Sequence, residues 1–468
     1  MNDGNAAQRV IQDLRRLVAA SAPGTRLPSV RELTGRHHAS PVTVSGAIRV
    51  LVAQGLVEAR PGRGTFVAAR AKPAPAPDLS WQTVALGPRR SGESEMTALL
   101  ALPPTGAIPL SGGYLDADLQ PAAALGVALS RIARQPAAWQ RGPAEGREDL
   151  RDWFARQARD GAGGAGLRGR DMVICPGGQA ALSSALRALA APGDTVLVES
   201  PTYLGALAAA RAGGLRVAPV PADADGVLPD QLAAAFARTG ARIFYCQPLY
   251  ANPTGATLAD RRRAAVLAAV RDNGAFLIED DYARDLVIDG TAPPPLAADD
   301  PDGHVIYLRS LTKSAAPGLR IAAIGARGPA GARLRSARLL DDFFVAGPLQ
   351  QAALEFVTGP AWGRHLRTLR LALRDRREAL LSALRRHLPA LLPPVAPRGG
   401  LHLWVRLPDG ADDADVASAA AAEGVVVFPG RPWFAAEPPA PHLRLTWAAA
   451  PPDLMDEAVR RLARAVSR

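Results

Sequence analysis

The sequence predicts an α/β protein in parts: a small helical head, a linker, and a large body whose mainly parallel sheet is followed by a smaller α+β lobe. Three observations carry that prediction. At 468 residues the chain exceeds one ordinary domain and fits two or three. Beyond about residue 95, strand-like apolar runs alternate with Ala/Leu/Arg-rich helical runs, as in a parallel sheet with crossover helices. Basic charge is also unevenly placed, because residues 1–70 hold ten Arg against four acids, +6 of the net +11. With 48% hydrophobic and 21% charged residues the chain can bury large cores, which excludes wholesale disorder. No apolar stretch approaches the roughly 20 residues that cross a bilayer, so no membrane partner is expected. The opening MNDGNAAQRV lacks a signal peptide's apolar run, and the cytoplasm is the expected compartment. Cys175 and Cys246 sit in strand-like runs and read as reduced core thiols.

Residues 5–20 space their apolar side chains as a helix does, and Pro28 to Leu33 reads as a second helix start. A third helix is expected over 40–54, with Ser40 as N-cap and Pro41 in the first position. GLVEARPGRGTFVA then reads as a hairpin with a basic, glycine-rich tip. Three helices and a basic hairpin in this order make a winged helix-turn-helix over residues 1–69. The run LPSVRELTGRHHASPVTVSGAIRVLVAQGLVEARPGRGTFV resembles the GntR family of bacterial regulators, a likeness covering about 8–68. It implies double-stranded operator DNA as partner. The helix from Ser40 would enter the major groove with Pro41, Thr43 and Ser45 near base edges, and Arg31, Arg49, Arg60 and Arg63 are suited to phosphates. Family members often place Arg early in that helix, whereas this chain has Pro41, Val42 and Ser45, which bears on the bases read. The pair His37 and His38 has no further ligands at useful spacing, so no metal is expected.

Residues 70–95 change to a Pro/Ala texture, an extended and semi-stiff linker. The body is expected over 96–468, with a large lobe at about 145–340 and a small lobe at about 345–468. Its strand-like runs are DMVIC, DTVLVES, LRVAPVP, RIFYCQP, AFLIEDD and HVIYLRS, with LHLWVRLP, VVVFPG and HLRLTW in the small lobe.

Of the 55 basic residues only two are lysines, Lys72 in the linker and Lys313 in SLTKSAAPGLR. In so Arg-rich a chain, a retained lysine at a strand end points to chemistry a guanidinium does not do: loss of a proton and attack on a carbonyl. That suggests pyridoxal 5'-phosphate (PLP), whose other needs are met upstream. Asp280 in LIEDDY can face the pyridine nitrogen, and Asn252 in NPTG and Tyr282 both qualify as donors to the ring oxygen. Gly178, Gln179 and Ala180 open a helix after DMVIC, a start suited to phosphate, with Ser310 and Arg320 flanking the lysine. Tyr203 in ESPTY can stack on the ring, and Arg444 in HLRLTW can grip a carboxylate.

The ordered series GGQ, ESPTY, NPTG, EDDY, SLTK, GLR and LRL is similar to fold type I aminotransferases over about 96–468. The resemblance implies PLP carried by Lys313, Asp280 on the ring nitrogen, and Asn252 and Tyr282 on the ring oxygen. It further implies Tyr203 against the ring, Gly178, Gln179, Ser310 and Arg320 around the phosphate, and Arg444 on a substrate carboxylate. In one departure, Arg141 stands where family members usually have a Tyr that reaches the neighbouring subunit's phosphate, so either Arg141 binds that phosphate in its place as a cation or phosphate binding is rearranged. A GntR-like head on such a body resembles the MocR regulators. That resemblance implies a head-to-tail homodimer whose operator binding is modulated by PLP, or by a small amino compound reacting with it. The alternative is a working aminotransferase with an accessory DNA-binding head.

Overall fold

The computed structural model describes residues 3–69, 77–86, 93–159 and 166–467, and the chain divides into two compact units, 1–88 and 89–468. In the first, helix α1 (Asp3–Ala20) buries Ala6, Val10, Leu14 and Val18, four residues apart on one stripe. Helix α2 (Val30–His37) begins with a capping box in which Ser29 and Glu32 satisfy each other's backbone amides. Helix α3 (Pro41–Ala53) has Ser40 as cap and Pro41 at its first position, and turns Val44, Ala47, Ile48 and Leu51 inward. Strands β1 (Val57–Arg60) and β2 (Gly64–Val67) pair antiparallel, leaving Pro61, Gly62 and Arg63 at the tip. The approach to α2 ties onto this hairpin, the Leu27 amide donating to the Thr65 carbonyl at 2.8 Å.

The linker is not extended throughout. Residues 70–76, with Lys72, and 87–92 lie outside the described residues. Between and after them stand α4 (Ser80–Leu86) and α5 (Glu93–Leu100). The Pro alternation stops at Pro77, and the Asp78 carboxylate then accepts from the Ser80 amide at 2.9 Å, so a helix is free to start.

After β3 (Ile108–Pro109), α6 (Ala122–Ile132) and α7 (Glu148–Gln157), the body builds an eight-stranded sheet. Its strands are β4 (Met172–Cys175), β5 (Thr195–Ser200), β6 (Arg216–Asp223), β7 (Gly226–Val227), β8 (Ile243–Cys246), β9 (Phe276–Asp280), β10 (Val305–Ser310) and β11 (Ala322–Gly325). Their order is β4-β11-β10-β9-β8-β5-β6-β7. The centre, β10-β9-β8-β5-β6, is parallel, while β11 runs antiparallel between β10 and β4. Helices α8 (Gly178–Leu189) and α9 (Leu204–Ala212) follow β4 and β5, so their starts lie at the carboxyl ends of those strands.

The smaller lobe holds β12 (His402–Arg406), β14 (Phe428–Pro429) and β15 (His442–Thr446) in one antiparallel sheet, while β13 (Val425–Val426) pairs with the distant β3. Through that pairing Ile108, Leu110 and Leu115 join the core of Leu403, Leu443 and Trp447. Conversely the helix Gly347–Thr358, read from sequence as small-lobe, puts Ala353, Phe356 and Val357 into the core beneath the large sheet. Crossing segments of this kind carry no local sequence mark. Both cysteines are free and buried, and burial pushes the Cys175 thiol up to about 12. No helix among the described residues is long and apolar enough to cross a membrane.

Candidate functional site

The parallel strands end on one side of the sheet, and the expected residues gather there, as ligands do in open α/β sheets. Asp280 closes β9 and is buried. Its Oδ2 accepts from the Tyr245 hydroxyl at 2.7 Å and from Gln247 Nε2 at 2.8 Å. Burial raises this carboxyl to about 6 despite those two donors, and Lys313 pulls the other way. A cationic N–H placed against it would restore the ionised form. Gln247 then reaches on: its Oε1 accepts from the Asn252 backbone N–H at 2.9 Å, and the side-chain Oδ1 of Asn252 accepts from Arg444 Nη1 at 3.2 Å.

Arg444 lies in β15 and is buried, yet no acidic side chain pairs with it among the described residues. It donates to the Ser111 carbonyl, sits 4.4 Å over the Trp433 ring, and has no partner for Nε. Burial works against its charge and lowers it to about 9, so it remains a cation at neutral pH. A buried guanidinium without a counter-charge is a binding site for an anion. Lys313 Nζ donates to the Gly113 carbonyl at 2.6 Å and lies 3.6 Å over the Tyr114 ring. The residue as a whole keeps some solvent contact, but its amine is surrounded by protein. That desolvation, with the charge of Arg444, lowers it to about 7. An amine so placed is substantially neutral, hence nucleophilic, at physiological pH.

The phosphate-type end forms around α8. Gly177 has φ +103°, and a Cβ there would lie 2.5 Å from the Arg320 guanidinium, so only glycine lets the arginine in. Arg320 donates to the Pro176 carbonyl at 2.6 Å. The amides of Gly178, Gln179 and Ala180 are the first of the helix and have no intrahelical acceptor. Ser310 Oγ lies 4.0 Å from where a Cβ on Gly178 would stand, and exchanges hydrogen bonds with Thr312. Gln179 is held by Tyr203, whose hydroxyl donates to Oε1 at 3.1 Å, and by the Gly205 carbonyl.

One expected residue stands differently: the Tyr282 hydroxyl donates to the Tyr250 carbonyl at 2.6 Å, so its proton is engaged by backbone and not by the cavity. Arg141, at the position associated with a neighbouring subunit, is exposed in the single chain. Sequence reasoning missed Tyr245, Gln247, Thr312, Gly113 and Tyr114. Tyr245 and Gln247 carry a usable signal, since they are two apart at the end of β8 and so share a face; the others carry none.

On the head, Pro41, Arg31, Arg49, Arg60 and Arg63 are exposed, as is Val42 at 76%. Ser40 and Thr43 use their hydroxyls on the cap, with Oγ to Oγ1 at 2.8 Å, which leaves only the methyl of Thr43 unengaged. Arg60 is partly engaged by Glu58 at 3.1 Å, whereas no side-chain partner holds Arg63 at the hairpin tip among the described residues. His37 bonds Asp13 at 2.9 Å, and no metal-type cluster occurs among the described residues.

Comparison with known proteins agrees with this geometry. The profile of the family described as aminotransferase class I and II matches residues 110–462. The chain belongs to the class I and II aminotransferase family. Its head matches the profile of the bacterial regulatory proteins of the gntR family over residues 6–67. A gntR head on an aminotransferase body is the make-up of the MocR-type regulators. The 2-aminoadipate transaminase of Thermus thermophilus is 31% identical, covering 83% of this chain and 98% of that protein. The HTH-type transcriptional regulator YjiR of Escherichia coli is 29% identical over 99% of this chain and 97% of its own length. The corresponding figures for TauR of Rhodobacter capsulatus are 28%, 95% and 92%. Among solved structures, LysN of Thermus thermophilus, complexed with N-(5'-phosphopyridoxyl)-L-leucine, has TM-score 0.74 and 30% identity, covering 83% of this chain and 98% of that one.

The cofactor of this aminotransferase body is PLP, and the residues present fit it. A buried acid has no cation bonded to it, a glycine-opened helix start and Arg320 suit an anion, and the Lys313 amine feels the charges of both Asp280 and Arg320. Asp280 would hold the ring nitrogen, Asn252 the ring oxygen, and Gly178, Gln179, Ser310 and Arg320 the phosphate. When bound, PLP supplies an electron sink for bonds at the carbon bearing a ligand's amino group.

Proposed function

We propose that this chain is a PLP-dependent, DNA-binding transcriptional regulator, in which PLP at Lys313, or an amino compound exchanging onto it, modulates operator binding. The observation that carries the reading is an intact lysine, aspartate and arginine constellation in the same chain as a gntR head with an exposed basic hairpin tip. Coupling has physical support. Helix α5, the first helix after the linker in sequence, packs Met96 and Leu99 against Leu204, Phe428 and Trp433, with Tyr203 and Trp404 at the edge. Tyr203 holds Gln179 of the phosphate-type end, and Trp433 lies under Arg444. A change at the site therefore alters what the start of the body rests on. We infer a homodimer as well: Trp139, Leu340 and Phe343 expose large apolar surface on the body, 67%, 89% and 73%, which a second copy would cover. Such a dimer would present two heads to paired half-sites in the cytoplasm.

The test is footprinting on DNA upstream of the gene, with and without PLP, using wild type and Lys313→Ala. A protected site that changes with PLP in wild type alone supports the reading, and no protection at low salt overturns it. A second reading, a working aminotransferase, is favoured by the complete set of groups around Lys313 and by the 31% identical transaminase. Steady-state turnover with a keto acid at about 1 per second or faster would favour that reading.

A further inference from the structure

His402 opens β12 and is 2% exposed, yet the arrangement described so far gives it no use. Its ring makes no hydrogen bond with the described residues, and Nδ1 is enclosed without a partner. A Cβ built on Gly113 would lie 3.6 Å from Lys313 Nζ, 3.8 Å from His402 Cε1 and 4.0 Å from Arg444 Nη1. Side chains from three separate elements thus converge on one small volume, which the glycine keeps clear. Because Cε1 lies between the two ring nitrogens, the edge turned toward that volume is the one that hydrogen-bonds.

An imidazole nitrogen left unpartnered in the interior is unfavourable, and a phenyl ring would fill the same space without that penalty. Burial, with the charges of Arg444 and Lys313, holds the ring neutral, well below the usual histidine range. A neutral imidazole has one N–H to donate and adds no further cation beside the Arg444 guanidinium.

We propose that His402 is a ligand-reading residue: its N–H donates to the carboxylate that Arg444 grips, and so sharpens the discrimination between an amino acid and the amine that lacks that carboxylate. This rests on the cofactor reading above and assigns one more specificity-determining residue to the same site. Arg444 supplies the charge, and His402 fixes the direction in which the carboxylate lies relative to the Lys313 amine.

The test uses the full chain loaded with PLP and two probe pairs, L-alanine with ethylamine and L-leucine with isoamylamine. Within each pair only the carboxylate differs, and binding is followed by the absorbance of the bound cofactor. In wild type the acid of at least one pair should bind about tenfold or more tighter than its amine. His402→Phe should shrink that ratio about tenfold by weakening the acid alone, and His402→Gln, which keeps a donor, should recover part of it. If the phenylalanine protein does not retain cofactor, His402→Leu carries the same comparison. Equal loss for acid and amine, or no change in either, assigns His402 to packing and overturns the proposal. A wild type that prefers the acid in neither pair overturns it too. Cofactor absorbance in wild type keeps the two readings apart, since its absence would defeat the cofactor reading itself and this proposal with it.

Discussion

Three adjacent acids at the end of β9 have three different uses. Glu279 accepts from the amides of Leu296 and Ala297, at 2.8 and 2.9 Å, and Asp281 pairs with Arg284 and accepts from the Tyr307 hydroxyl. Asp280 alone has its donors within the candidate site. Strand alternation separates it from its neighbours, which is why one acid could be chosen from sequence. Asp280→Ala should therefore weaken PLP retention about a hundredfold, measured by equilibrium dialysis, by removing the partner of a buried cation. For Lys313 the sign is set by a lowered value: the neutral amine is present above about 7 and lost as pH falls through it. Covalent cofactor uptake by apo-protein should rise about tenfold between about pH 6 and 8 and then level. A rate still climbing tenfold per unit at about pH 9 would mean an ordinary lysine.

At the scale of elements, Gly177 and α8 make the most exposed wager. Gly177→Ala places a methyl on the Arg320 guanidinium at a backbone conformation suited to glycine. PLP affinity should fall, and the strained backbone should also lower the thermal midpoint of the cofactor-free protein by about a few degrees. Helix α5 gives a second test: Leu99→Ala should leave cofactor absorbance intact and reduce the PLP-dependent change in DNA binding, read by gel shift. The predicted strands of the large sheet were legible because each is a short apolar run bounded by Gly, Pro or Asp. The antiparallel β11 was not, since AAIG is too brief and small to read as a strand. Motif residues following strands were legible for the same reason as the strands. By contrast Gly113 and Tyr114 follow β3, whose Ile108 pairs with the distant Val425 of β13, and His402 is set by the pairing of β12 with β15, neither of which local pattern records. Helices α4 and α5 were hidden by the proline-rich texture preceding them.

At the scale of the whole molecule, the head's basic surface sets how strongly salt weakens DNA binding. Arg63→Ala at the hairpin tip should lower the slope of log affinity against log salt by about one, for all sequences alike. An unchanged slope would remove the tip from the phosphate contacts. Within the body, the row from Asp280 through Gln247 and Asn252 to Arg444 is unbroken and has a single polarity. An amide donates at one end and accepts at the other, so Gln247 cannot turn over without losing both neighbours. Whatever settles the acid at one terminus thereby steadies the guanidinium at the other. Occupancy of the two termini is then one thermodynamic quantity: the factor by which PLP tightens an amino acid equals the factor by which that amino acid tightens PLP.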